Sequence, residues 1–194
     1  GESGTKVTRL RPGHADFPGV MKYNQDDVRN ILERSSARET AARTAVGVIC
    51  RALLAKFEIH IFSRVVRIGS VAAPALDSKI DWKNLYETVE KSELRVHDSK
   101  TESAMKAEID KTRDTGDSVG GVFEVIAINL PVGLGTHTQW DKKLDGQIAQ
   151  AILSINAVKG VEVGMGFRYG EVFGSAAHDE IFYKKGHRTR TSDF

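Results

Sequence analysis

A helix of about twenty residues is written into 36–57, and it constrains the fold more than any other stretch of the 194-residue chain. At about 1.5 Å per residue it is a rod roughly 30 Å long, which is long for a domain of this size. Ser36 and Glu39 mark its start. They have the spacing of a capping box, in which the hydroxyl accepts from the Glu39 amide and Glu39 reaches back to the Ser36 amide. Ala42, Ala45, Val46, Ile49, Leu53 and Phe57 recur at helical spacing and predict one inner stripe. Cys50, the only cysteine, falls on the side shared by Val46, Ile49 and Leu53, so a buried thiol without an intrachain disulfide is expected.

The start of this helix also carries charge. Arg34-Ser35-Ser36-Ala37-Arg38-Glu39-Thr40 sets two hydroxyls and two guanidiniums at the positive end of the helix dipole, where the first amides lack partners. Together these groups favour a phosphate or a carboxylate. The competing reading makes Arg38 and Glu39 ordinary surface charges and the serines caps only.

The rest of the chain divides by pattern. Residues 1–20 are rich in glycine, proline and charge and read as loop. Asp26 and Asp27 open a short helical segment in which Val28, Ile31 and Leu32 share a face. Alternation through Ile59 and Ile61, continued by Val65, Val66 and Ile68, predicts a strand over 58–68. Residues 70–116 are polar, with helical patterns at 82–91 and 101–115, and read as an exposed excursion on one domain spanning 1–194. The nearly continuous apolar run 122–130 predicts a strand at a buried sheet position. A turn at 131–135 follows, then a helix over 141–155 with Leu144, Ile148, Ala151, Ile152 and Ile155 on one face. A strand over 161–167 would repeat the helix-then-strand unit, giving an α/β (α+β) layer arrangement.

Several functions are excluded by composition and spacing. A net charge of +2 without a basic stripe argues against nucleic acid or a membrane surface. The most apolar stretch, 122–134, is interrupted by Glu124, Asn129 and Pro131 and is too short to span a bilayer. No signal-peptide pattern opens the chain, so the cytoplasm is expected. Gly133-Leu134-Gly135 and Gly164-Met165-Gly166 lack the third glycine and flanking elements of a dinucleotide site. There is no P-loop and no Gly-x-Ser-x-Gly elbow. The six histidines, at 14, 60, 97, 137, 178 and 187, show no metal-ligand spacing, and no metal is expected. His178-Asp179-Glu180 reads as a solvated turn before a strand at 181–183. His14 stands out, because Arg11-Pro12-Gly13-His14-Ala15-Asp16 is a tight loop that flanks an imidazole with a cation and a carboxylate. Such a group can transfer a proton near neutral pH. The competing reading is a loop histidine bonded to Asp16.

Five blocks in fixed order carry a family resemblance. They are Arg11-Pro12-Gly13-His14-Ala15-Asp16, Glu33 through Thr40, Gly116-Asp117-Ser118-Val119-Gly120-Gly121, Pro131-Val132-Gly133-Leu134-Gly135, and Ser154-Ile155-Asn156-Ala157-Val158-Lys159-Gly160-Val161-Glu162. From Thr5 to about Thr191 the chain resembles the middle of chorismate synthase. The resemblance implies a β-α-β sandwich of long helices between antiparallel sheets, assembled as a homotetramer in the cytoplasm. It implies a lyase of the shikimate pathway to aromatic amino acids. That enzyme converts 5-enolpyruvylshikimate 3-phosphate to chorismate by 1,4-elimination of phosphate, using reduced FMN (FMNH2), with NADPH a candidate reductant. It also implies roles: His14 as the catalytic histidine beside the flavin; Arg34, Ser35, Ser36, Asn156 and Ala157 as flavin contacts; Arg38 and Arg11 as substrate contacts.

The chain departs from the family pattern at both ends. Gly1-Glu2-Ser3 is followed by Gly4-Thr5 in place of a second histidine, and the intervening arginine-bearing segment is absent. Arg188-Thr189-Arg190-Thr191 only begins the family's Arg-x-Thr-Asn stretch, and the motifs beyond it are absent. Two readings follow: a chorismate synthase seen in part, or a non-catalytic remnant that keeps a core with weak anion or subunit binding.

Overall fold

The computed structural model describes residues 5–77, 80–178, 181–184 and 187–190. In chain order the elements are α1 (Asp16–Tyr23), α2 (Arg29–Ser35), α3 (Ala37–Ala55), β1 (His60–Ile68), β2 (Val71–Ala72) and α4 (Trp82–Lys91). They continue with α5 (Ser99–Asp114), β3 (Gly121–Ile128), α6 (Leu144–Leu153), α7 (Gly174–Ala177), β4 (Ile181–Lys184) and β5 (His187–Arg190). Helices and antiparallel strands are mixed, so the class is α+β. The chain forms two compact units, 53–131 and the remainder.

In the unit 53–131 a three-stranded antiparallel sheet has the order β2-β1-β3. β1 runs against β3 from His60 opposite Ile128 to Ile68 opposite Gly121, with a bulge between Val65 and Arg67. Period-two alternation turns Phe62 and Arg64 inward on β1. Phe62 and Ile126 pack against Leu85 and Val89, which lie one turn apart on α4. Asp81 starts α4 by accepting from the Lys83 and Asn84 amides, and Asp98 starts α5 by accepting from the Thr101 amide. Met105 of α5 is fully buried. The polar stretch is therefore a layer of the core and more than an exposed excursion. Helical spacing of a few apolar residues among many charges was enough to build it. Conversely, the apolar run of β3 is not buried throughout. Val122, Phe123 and Val125 are exposed and only Ile126 is buried, on the side packed against α4.

In the other unit three expectations are corrected. Residues 16–20, read as loop, open helix α1. Pro18 falls in its first turn, where a missing amide costs nothing. Gly19 packs so closely on Ile31 that a β-carbon would collide with that side chain, which brings α1 onto α2. The run 161–167 forms no strand. Gly164 and Gly166 take φ of 60° and 58°, and a 3-10 turn over Gly166–Glu171 replaces it. The helix-then-strand repeat is consequently absent there. α6 is shorter than the predicted 141–155, with a 3-10 turn at Trp140–Lys142 before it. β4 and β5 form an antiparallel pair, with β4 covering the strand expected at 181–183. His178 ends α7, while Asp179 and Glu180 lie outside the described residues.

The predicted stripe of α3 is exposed. Val46, Ile49, Leu53 and Phe57 are 60, 71, 62 and 68 % accessible, and Cys50 is likewise exposed rather than buried. The helical period of that stripe is real, but no described element lies over it. No helix among the described residues is long and apolar enough to cross a membrane, and no group of metal-ligating side chains is found among them.

Candidate anion and cofactor site

Ser36 breaks the helix between α2 and α3. Its extended backbone, φ −85° and ψ 160°, is that of an N-cap. Its hydroxyl accepts from the Arg38 amide at 3.3 Å, and its carbonyl accepts from the Glu39 amide at 3.1 Å. Neither bond of the predicted capping box is made as expected: the hydroxyl takes the Arg38 amide in place of that of Glu39, and Glu39 does not reach back to the Ser36 amide. Glu39 accepts from Nε of Arg43 at 2.8 Å, one turn further on, and its Oε2 is buried without a partner. An i, i+4 arginine outcompetes a backbone amide for the carboxylate because the bond is charge-assisted on both sides. Ser35 is turned back into α2, its hydroxyl donating to the Ile31 carbonyl at 3.1 Å.

The guanidiniums at this junction differ. Arg38 is paired with Glu33, whose carboxyl is held below its usual range first by the hydrogen bond from Arg38 and then by its charge, against the opposing effect of desolvation. Arg34, in the last turn of α2, is exposed and has no hydrogen bond or ion pair among the described residues. A cleft of about 740 Å³ runs along this junction. It is an open groove along one run of helix, lined by Glu33, Arg34, Arg38, Glu39 and Arg43 near the junction and by Ala42, Val46, Gly47 and Cys50 further along α3. A charged end beside a helix N-terminus, continued by an apolar stretch, suits a ligand that is anionic at one end and apolar at the other.

Asn156 reaches this junction from 120 residues away. Its side-chain amide donates to the Ser36 carbonyl at 3.1 Å. Ala157 follows at φ 70°, a left-handed conformation that a β-carbon resists. Two residues that sequence reasoning passed over share the contact. Arg43 donates through Nη1 to the Ser154 hydroxyl at 2.7 Å while its Nε holds Glu39. The signal for Arg43 was present, since it lies seven residues after Ser36 and so on the same helical face. For Ser154 no local signal exists.

His14 and Arg11 occupy a separate loop of the same unit. Gly13 takes φ 72° to make the turn. Asp16, fully buried, accepts from the Arg11 amide, Nε and Nη2. It therefore does not bind His14. The imidazole is exposed, with Nδ1 2.9 Å from the Pro12 carbonyl. A carbonyl only accepts, so Nδ1 donates to it, and Nε2 makes no hydrogen bond among the described residues. No hydrogen bond joins His14 to the Ser36 junction among the described residues.

Comparison with known proteins agrees with the sequence blocks. The family model described as chorismate synthase matches residues 4–193. A chorismate synthase of Geotalea uraniireducens is 54 % identical over 178 residues, which is 92 % of this chain and 45 % of that protein. One from Caldicellulosiruptor saccharolyticus is 52 % identical over 190 residues, covering 97 % of this chain and 50 % of that protein. A crystal structure of chorismate synthase superposes with a TM-score of 0.86 at 47 % identity, covering 92 % of this chain and 56 % of that one. The chain spans about half the length of the curated relatives it matches. By family model, sequence identity and fold, the chain belongs to the chorismate synthase family.

Proposed function

We propose that this protein eliminates phosphate from 5-enolpyruvylshikimate 3-phosphate to give chorismate, with reduced FMN as cofactor. The observation that carries the reading is the hydrogen bond from Asn156 to the Ser36 carbonyl, which joins the two flavin-contacting segments named by the resemblance. When bound, reduced FMN lends electron density to the substrate as phosphate leaves and recovers it, so it is not consumed overall. Arg34, Ser36, Asn156 and Ala157 would hold it: Arg34 lines the adjoining groove, and Asn156 is bonded to the Ser36 carbonyl. Ser35 contributes through its backbone, since its hydroxyl is committed to α2.

The residues of the chain then have distinct tasks. Arg38 meets the substrate anion by exchanging Glu33 for it, and the α3 N-terminus adds fixed dipoles that need no reorganisation. Arg11 presents the donors that Asp16 leaves unused, with its fork already oriented. His14 would deliver a proton from Nε2 as the imidazolium and be left as the neutral Nδ1–H tautomer, whose remaining proton stays on the Pro12 carbonyl. A homotetramer, a cytoplasmic setting and one chorismate synthase-like domain belong to the same reading. The test is anaerobic incubation with 5-enolpyruvylshikimate 3-phosphate and photochemically reduced FMN, which removes the need for NADPH. Stoichiometric release of phosphate and chorismate is expected, and their absence would overturn the reading.

A further inference from the structure

Ser36, Glu39 and Arg43 stand at positions i, i+3 and i+7 of one helical face, and the segment 154–156 touches that face at both ends. Asn156 donates to the carbonyl of Ser36 and Ser154 accepts from Arg43, at 3.1 and 2.7 Å. The two contacts come from different residues of the face, the backbone of Ser36 and the side chain of Arg43, which reaches back over Glu39. One contact would leave the turn free to pivot; two fix its direction as well as its position. The Ser154 hydroxyl donates to the Ala151 carbonyl at 2.6 Å and so has only acceptor capacity left for Arg43. Arg43 spends Nε on Glu39 and Nη1 on Ser154, and that second bond keeps its fork in one rotamer.

We propose that Arg43 and Ser154 are positioning residues for the cofactor. Bridged to Glu39, they form a strut that holds Asn156 and the left-handed Ala157 in register with the start of α3. The inference rests on the FMN reading above and deepens it, because neither residue is needed to touch the ligand for its loss to be felt.

The experiment measures FMN affinity by fluorescence quenching, and amide hydrogen exchange over 154–158 in the flavin-free protein, for Arg43→Met, Ser154→Ala, Ser154→Thr and the Arg43→Met/Ser154→Ala pair. Each of Arg43→Met and Ser154→Ala should weaken FMN by about three- to ten-fold, the span expected for one lost hydrogen bond. Each should also speed exchange at 154–158 while the melting temperature holds. Ser154→Thr, which retains the hydroxyl, should restore both, and the double variant should lose no more than either single one. Unchanged affinity and exchange in both single variants would overturn the strut while leaving the FMN reading intact, as would additive losses in the double variant. Failure of the unsubstituted protein to bind FMN would overturn that reading and the strut with it.

Discussion

Arg11 grips the carboxylate of Asp16 through its backbone amide, its Nε and its Nη2, each at 2.9 Å. The grip closes the Pro12-Gly13 turn, starts α1 at Asp16 and leaves His14 exposed at the turn. Three donors to one carboxylate define its titration. Arg11 holds the Asp16 carboxyl at about 2 against an ordinary 3.8, through the side-chain hydrogen bonds first and the backbone bond second, with desolvation opposing.

A folded value below the unfolded one stabilises the protein above the unfolded value and loses that stabilisation as pH falls through the folded one. The contribution of Asp16 should therefore be complete above about pH 4 and vanish toward about pH 2. Melting temperatures from pH 5 to 2 check this. The Asp16→Asn variant should melt lower at pH 5 and fall less steeply; an equal slope would place the acid sensitivity elsewhere.

Removing the Asn156 amide should loosen the two segments it joins. Asn156→Ala is expected to weaken FMN by about five-fold, the worth of one hydrogen bond. Asn156→Asp should be worse, because it sets a carboxylate oxygen against the Ser36 carbonyl. Fluorescence titration of both variants decides, and the order Asp weaker than Ala is the diagnostic result.

If Arg38 binds the substrate as proposed, Glu33, its partner in the structure, competes for it. Glu33→Gln should lower the substrate KM by about two- to five-fold, in line with the small worth of an exposed ion pair. Arg38→Ala should raise KM by about ten-fold or more, since a charged hydrogen bond is then lost outright. A higher KM in Glu33→Gln would mean that the carboxylate orients Arg38 and does not restrain it.

His14→Ala should cut turnover by about a hundred-fold or more, the usual contribution of a positioned acid, while FMN still binds. The imidazole makes one bond, to Pro12, so its loss leaves the Arg11–Asp16 frame in place. Steady-state kinetics and a flavin titration of the same preparation separate the two effects. Equal turnover would remove His14 from the chemistry.

What could be read from the sequence was local. The helical patterns at 82–91 and 101–115 are decided within a few turns, and α4 and α5 lie where they put them; the caps at Asp81 and Asp98, equally local, were there to be read and were passed over. The start of α3 was legible for the same reason, through Ser36. Burial was less so. The stripe of Val46 and Ile49 has the right period, yet period says which residues share a face and not what covers it. At the site, Arg34 and Arg38 are visible as a charge cluster, but that Arg38 is already paired and Arg34 is not depends on rotamers at a helix junction. The Asn156 and Arg43 contacts bridge more than a hundred residues, and no spacing rule reaches that far. Only the first was approachable, through the resemblance that named Asn156 and Ser36 together; Arg43 lies outside the ordered blocks. Residues 161–167 mislead because alternation there is overridden by two glycines at positive φ.

The most direct measurement is the absorbance difference spectrum of FMN on adding the purified protein and then 5-enolpyruvylshikimate 3-phosphate, run beside Arg34→Ala. A site built on Arg34, unpaired among the described residues, and the Ser36–Asn156 junction predicts a flavin spectral change with the unsubstituted protein once both ligands are present, and its loss or marked weakening in Arg34→Ala. No spectral change with the unsubstituted protein would contradict the assignment of this junction as the flavin site.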